Sequence, residues 1–196
     1  MGWLGKNKKA AGQKLNNAEI YLNYLELMFG KADVIRRMEA KDCGPAIHIF
    51  YYHDLPEKGM LTAITYGLSI GDHPDWVNGK CELMVSLNTK DESWGMAAAF
   101  FAGQYRGEKA FNYGSLFTLD EPISPESAMS GYFVFAPSFL ERHQTTLVMP
   151  DFNIFFKGLY PIYQEEIEVY YNIGLEAFWH HANFDMYNIK RPQITT

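Results

Sequence analysis

The sequence predicts an α+β domain, with a mixed, largely antiparallel β-sheet flanked by helices. Three observations carry that reading. Apolar residues recur at helical spacing in three separated stretches, 14–30, 88–108 and 163–182. Between them lie β-branched and aromatic runs of strand length, at 46–53, 60–66, 81–87, 131–136 and 153–161. Several connections are short enough for hairpins, which favours this class over a doubly wound parallel sheet.

The elements follow in chain order. Residues 1–14 read as a flexible basic tail, with Lys6, Lys8, Lys9 and Lys14, and residues 15–192 as a single domain. The first helix places Leu15, Ala18, Leu22, Leu25 and Met28 on one apolar face, and Gly30 is a natural stop. The stretch ADVIRRME is ambiguous between strand and helix. The runs 46–53 and 60–66 form a hairpin across the turn Asp54–Gly59, which carries turn chemistry. Both faces of its first strand are largely apolar, so it belongs mid-sheet, under a helix on at least one side. On the third strand Cys81, Leu83, Val85 and Leu87 share one face, with Glu82, Met84 and Ser86 on the other. The second helix is expected to open on a capping box of Thr89 and Glu92 and to bury Trp94, Ala98, Phe101 and Tyr105. Residues 112–125 are loop-like. In the last helix Glu165 and Glu166 meet the positive end of the dipole, His180 and His181 the negative end, and Ile167, Tyr170, Gly174 and Phe178 form the buried stripe.

Composition sets bounds on function. The 196 residues are 47% hydrophobic and 16% aromatic, enough for a real core. The formal net charge is −6, which opposes broad binding to nucleic-acid phosphates. No stretch has the length of a membrane span or the apolar core of a signal peptide. Lys6 stands where a myristoylation signal needs Ser or Thr. Cys43 and Cys81 lack metal-ligand spacing and are expected to be reduced thiols. The expected location is the cytoplasm.

The sequence contains no Walker loop, no GxGxxG and no nucleophile elbow; Ser69 in GLSIG has the wrong spacing. The pairs His53-Asp54, Asp72-His73 and His180-His181 invite a metal, but none has HxH or HxxxH spacing, and adjacent helical histidines point about 100° apart. No cofactor, metal or catalytic residue is expected. The alternative is a metal-assisted enzyme using His53, Asp72, His73 or Glu82. The most specific stretch is GDHPDW, between two strands, where loops carry function. Trp76 within it is either an interaction hot spot or a cover for the sheet end.

The order of motifs resembles the suppressor-of-fused family. The stretches that carry it are HIFYYHDLPEKGMLTAITYGLS, GDHPDW, CELMVSLN before a Trp-containing helix, GLYPIYQEEIEVYYNIGLEAFW and the closing DMYNIKRP. The resemblance spans roughly 15–192 and implies the fold of that family's N-terminal domain. It also implies a non-enzymatic, protein-binding role. The animal member clamps a peptide segment between two lobes as an added strand. Bacterial members stand alone, and many are associated with toxin loci as immunity proteins. This chain has the length of one lobe only. The implied partner is a protein, such as a cognate toxin or a peptide added as a strand, bound through Tyr66, Asp72, His73, Asp75 and Trp76. The remaining alternative is a peptide-binding regulatory adaptor with no toxin context.

Overall fold

The structure is a computed structural model that describes residues 15–195; the expected tail, 1–14, lies outside the described residues. Helix α1 spans Asn17–Phe29, and α2 and α3 span Ser93–Tyr105 and Glu166–Trp179. The strands are β1 (Val34–Met38), β2 (Ile47–His53), β3 (Leu61–Tyr66), β4 (Lys80–Leu87), β5 (Leu116–Thr118), β6 (Gly131–Phe135), β7 (Thr146–Val148) and β8 (Asn153–Ile162). They form one sheet in the order β1-β2-β3-β4-β8-β6-β5, with β7 also paired to β8. Only β4 and β8 pair in parallel, and every other pair is antiparallel. The mixed, mainly antiparallel sheet expected from the sequence is present.

Strand alternation divides the core into layers. Residues Cys81, Leu83, Val85 and Leu87 of β4 face α2, whose Trp94, Ala98 and Phe101 are buried with them. Met84 of β4 and Ile154 and Phe156 of β8 face α1 through Tyr21 and Leu25. Phe133 of β6 and Tyr160 and Ile162 of β8 face α3 through Val169, Tyr170 and Phe178. Residues 154, 156, 160 and 162 share one parity, so α1 and α3 cover the same sheet face and α2 covers the other.

Several local expectations change. The segment 34–38 is a strand, the sheet's first edge. α1 is rotated from its expected stripe: Tyr21 and Leu25 are buried, whereas Leu15 and Leu22 are exposed. The aromatic ring of Tyr21 found a better site than aliphatic periodicity allowed, because its hydroxyl donates to Thr65 O at 2.6 Å. The capping box expected at α2 is not formed. Asp91 accepts from the Ser93 N–H at 2.9 Å, while Glu92 is drawn away to Arg36. β5 lies inside the stretch expected to be loop, and β7 had no sequence signal beyond three residues. Finally, Gly174 has φ of +80°, which breaks α3 instead of joining its buried stripe.

Glu166 also differs from expectation. Its carboxylate is fully buried and does not serve the dipole from solvent. Arg191 donates to both its oxygens, at 2.5 and 2.7 Å, and the N–H groups of Tyr163 and Ile194 add two more bonds. This pair ties the C-terminal segment to the start of α3, with the guanidinium resting over Tyr163, Phe178 and Phe184.

Candidate functional site

The strand ends β3, β4 and β8 meet at one end of the sheet, and the connection 67–79 crosses that end. The sequence builds this connection from its buried first turn. Glu82 is fully buried and accepts four hydrogen bonds: from the Gly67 N–H (2.8 Å), the Ser69 N–H (2.9 Å), the Ser69 hydroxyl (2.6 Å) and the Thr65 hydroxyl (2.6 Å). Gly67 has φ of +136°, and a Cβ there would lie 2.9 Å from Ala46 O, so only glycine fits. Arg106 closes the turn from the other side, donating to Gly67 O at 3.0 Å and Pro45 O at 2.7 Å while it pairs with Asp42. The motif GLS is thus a clamped turn that aims the following loop.

That loop is itself internally bonded. Asp72 is exposed and pairs with Lys80 at 2.7 Å. His73 Nδ1 accepts from the Asp75 N–H at 3.1 Å, and His73 O accepts from the Trp76 N–H at 3.0 Å. Trp76 is part-buried against the α2-side core and its Nε1 donates to Ala110 O at 2.9 Å. His73, Asp75 and Trp76 therefore form one constellation, with the His73 and Trp76 rings 6.0 Å apart. Tyr66 is not part of it. Its ring packs 4.6 Å from that of Tyr21, against α1 on the opposite face of the sheet.

Three recesses border the constellation, and two of them share a wall. One, of about 500 Å³, is lined by His73 and Asp75 on one side and by Tyr105, Lys109 and residues 115–118 on the others. The second, of about 160 Å³, lies between Trp76, Asn78, Asn112 and Lys157. The segment 110–112 borders both. Its Phe111 holds a left-handed backbone, φ of +53°, while its ring stacks on Phe117 at 4.5 Å. Neither this segment nor β5 was singled out by sequence reasoning. An Ala-Phe-Asn run carries no glycine to announce a positive φ.

β5 closes the sheet path, so among the described residues one of its sides has no strand partner. The bonds Leu119 N–H to Ser130 O and Val134 N–H to Ser115 O set its register against β6. Residues 115, 117 and 119 turn their backbone groups toward β6, so Leu116 and Thr118 direct theirs outward, into the larger recess. The opposite edge, β1, differs: Arg36 and Arg37 project from it in ion pairs with Glu92 and Glu39. Charged side chains are a common guard against pairing at a sheet edge.

The groups named for a metal-assisted alternative do not converge. His53 stands at the far end of β2, paired across to Leu61, whereas Asp72 and His73 follow the other end of β3. Glu82 is sealed in its four bonds. Among the described residues no group of three or more His, Cys, Asp or Glu is placed to hold a metal ion. Cys43 is exposed and Cys81 buried, and both are free. Among the described residues no helix is long and apolar enough to cross a membrane.

The fold and site together define a class: a sheet domain between helix layers, with a clamped loop and an open strand edge at one end. The family model for Suppressor of fused protein (SUFU) matches residues 44–192, and the chain belongs to that family. Solved structures agree on the fold. A suppressor of fused homolog from Neisseria gonorrhoeae FA 1090 aligns with TM-score 0.62 and 17% identity, over 89% of this chain and 94% of that one. The Sufu–Fu complex aligns with TM-score 0.63 and 12% identity, over 88% and 89%. Drosophila Suppressor of Fused aligns with TM-score 0.60 and 12% identity over 88% of this chain, which spans 50% of that protein. No curated protein matches the chain by sequence.

Proposed function

We infer that this chain is a non-catalytic protein-binding domain that receives a segment of a partner protein as an added strand on β5. The observation that supports this reading is the outward backbone of Leu116 and Thr118 lining a recess walled by His73 and Asp75. An unpaired edge supplies affinity through main-chain hydrogen bonds, and the recess beside it supplies side-chain selectivity. The Sufu–Fu complex is a related fold solved with a protein partner, which is consistent with such a role.

The biological form of this reading is an immunity protein that neutralises a toxin by direct contact in the cytoplasm. A net charge of −6 suits a basic partner through steering. The test is to capture the partner from the cells that make this chain, reconstitute the pair, and express the partner alone. The expected result is a stoichiometric complex and a partner that is toxic unless this chain is present. Thr118→Pro removes an outward N–H without touching the β6 ladder, and is expected to abolish the complex while leaving the melting temperature within a few degrees. A stoichiometric but harmless partner assigns the chain as a regulatory adaptor instead. A complex that survives Thr118→Pro overturns the β5 edge as the docking site.

A further inference from the structure

Lys157 is the one lysine of β8, and it is part-buried on the sheet face that carries α2. Buried lysines ordinarily find a carboxylate or several carbonyls. Lys157 has neither among the described residues. Its Nζ sits over the Tyr113 ring, 4.2 Å from the centroid. The other cation that lines the same recess is already committed. Lys80 Nζ is held by Asp72 at 2.7 Å and Gly71 O at 3.0 Å. The Asp75 carboxylate, which also lines the recess, is 61% exposed to solvent and lies 3.9 Å from a His73 Nδ1 that already accepts from the Asp75 N–H. Burial lowers the Lys157 pKa, with the buried Cys81 thiol as its one titrating neighbour of note. The ammonium is therefore a desolvated cation without an anion. The Lys157 side chain lines a recess of about 160 Å³, room for a few heavy atoms, together with Asp75, Trp76, Asn78 and Asn112.

We propose that this recess is the receptor for a carboxylate side chain, an aspartate or glutamate carried by the partner segment. The proposal rests on the docking reading above and deepens it. The segment 110–112 borders both recesses, so a strand laid along Leu116–Thr118 passes beside the entrance to the smaller one. Lys157 supplies the charge, and Asn78 and Asn112 are the amides at the rim that are available to donate to the carboxylate oxygens. Trp76 and Phe155 are the aromatic side chains of the recess lining. A planar guanidinium or an apolar side chain would leave the ammonium unpaired. The selectivity is thus local and opposite in sign to the chain's net charge.

The test has two arms. In the first, the protein is labelled with 13C at the lysine ε-carbons and titrated with N-acetylaspartate α-methylamide, whose one carboxylate is the side chain's, with the uncharged N-acetylasparagine α-methylamide as control. The expected result is a saturable shift of the Lys157 resonance and of the Trp76 indole N–H, with the aspartate methylamide only. In the second, Lys157→Met and Lys157→Arg are compared for partner affinity after each is shown to melt as the wild type does. The Met variant is expected to bind roughly 10- to 100-fold more weakly, the loss of one charge-assisted hydrogen bond, and the Arg variant to recover part of that. A silent titration with unchanged Met affinity overturns the carboxylate site and leaves the docking reading intact. A positive titration with unchanged Met affinity confines the recess to small free carboxylates and overturns its role in the partner. Should no partner be found, the docking reading fails, and the titration alone still decides the chemistry of the recess.

Discussion

Glu82 gives the sharpest test of how the loop is held. Glu82→Leu removes the acceptor of four hydrogen bonds, two from buried backbone N–H groups and two from buried hydroxyls. The hydroxyls can rotate; Thr65, for example, has Leu83 O at 3.4 Å. The N–H groups of Gly67 and Ser69 cannot. Two orphaned buried donors cost about 1–3 kcal/mol each, so roughly 2–6 kcal/mol before the relief of removing a buried carboxylate. A net loss of about 2 kcal/mol or more is expected, a large share of the stability of about 5–15 kcal/mol typical of a domain. Glu82→Gln behaves differently. Its carbonyl oxygen replaces Oε1, the acceptor for Gly67 and Ser69, and its amide reverses the bond to Thr65, so a loss within about 1 kcal/mol follows. The pair also separates by pH. Burial, the largest influence, raises the Glu82 pKa above its ordinary 4.5. Between those values the folded state binds more protons than the unfolded state, so wild-type stability falls as pH rises through the window. Glu82→Gln carries no such proton and gains on the wild type as pH climbs. Urea denaturation of the three proteins across that range measures both effects. A Leu variant as stable as the Gln variant, or a difference that does not move with pH, would refute the account.

Three further outcomes follow from the packing. Arg191→Met leaves the fully buried Glu166 without its cation and is expected to cost about 3–5 kcal/mol in chemical denaturation, with Glu166→Gln in the same background restoring part of it. Trp76→Phe keeps a ring at the rim of the smaller recess but loses the bond to Ala110 O, worth about 1 kcal/mol, so partner affinity is expected to hold better than in Trp76→Ala, which empties the rim; equal affinities would make Trp76 a cover only. Asp42 is held down to about 2 by its hydrogen bond with Arg106, so a 13C titration of its carboxyl is expected to show a midpoint near that value. Because its folded pKa is depressed, its contribution is present above the ordinary carboxylate value and lost as pH falls toward about 2; solvent screening at this exposed carboxylate keeps it below about 1 kcal/mol.

The sheet was legible where strand propensity and burial act together. β2, β3, β4 and β8 are buried on both faces, so their apolar runs are long and their limits hold to within two residues. β1 was ambiguous because it is an edge, with its central residues exposed, and an exposed strand need not be apolar. β5 and β7 have three residues each, too short for any period to register. The helix faces failed for a different cause. In α1 the tyrosine hydroxyl reaches a carbonyl across the sheet, and in α3 a glycine turns left-handed. Both are tertiary choices that spacing does not encode. The sequence singles out the loop residues because they are chemically unusual. What the sequence could not report is their division. Tyr66 and Trp76 lie ten residues apart yet face opposite sides of the sheet. Glu82, read only as one strand residue, anchors the loop that carries the others.

Charge acts at two distances on this surface. The net charge of −6 is a long-range quantity, felt within about a Debye length of the surface and reduced by salt. It governs how fast a basic partner arrives. The ammonium of Lys157 is a short-range quantity, part-buried and little screened, and it governs how long one acidic side chain stays. A partner that satisfies both is basic overall with an acidic residue in the docked strand. Raising the ionic strength should therefore slow association with such a partner and leave dissociation nearly unchanged, whereas Lys157→Met should speed dissociation and leave association nearly unchanged. Stopped-flow binding at two salt concentrations separates the two. If Lys157→Met instead slows association by the amount that salt does, the lysine contributes only to the general field, and the recess has no part in holding the partner.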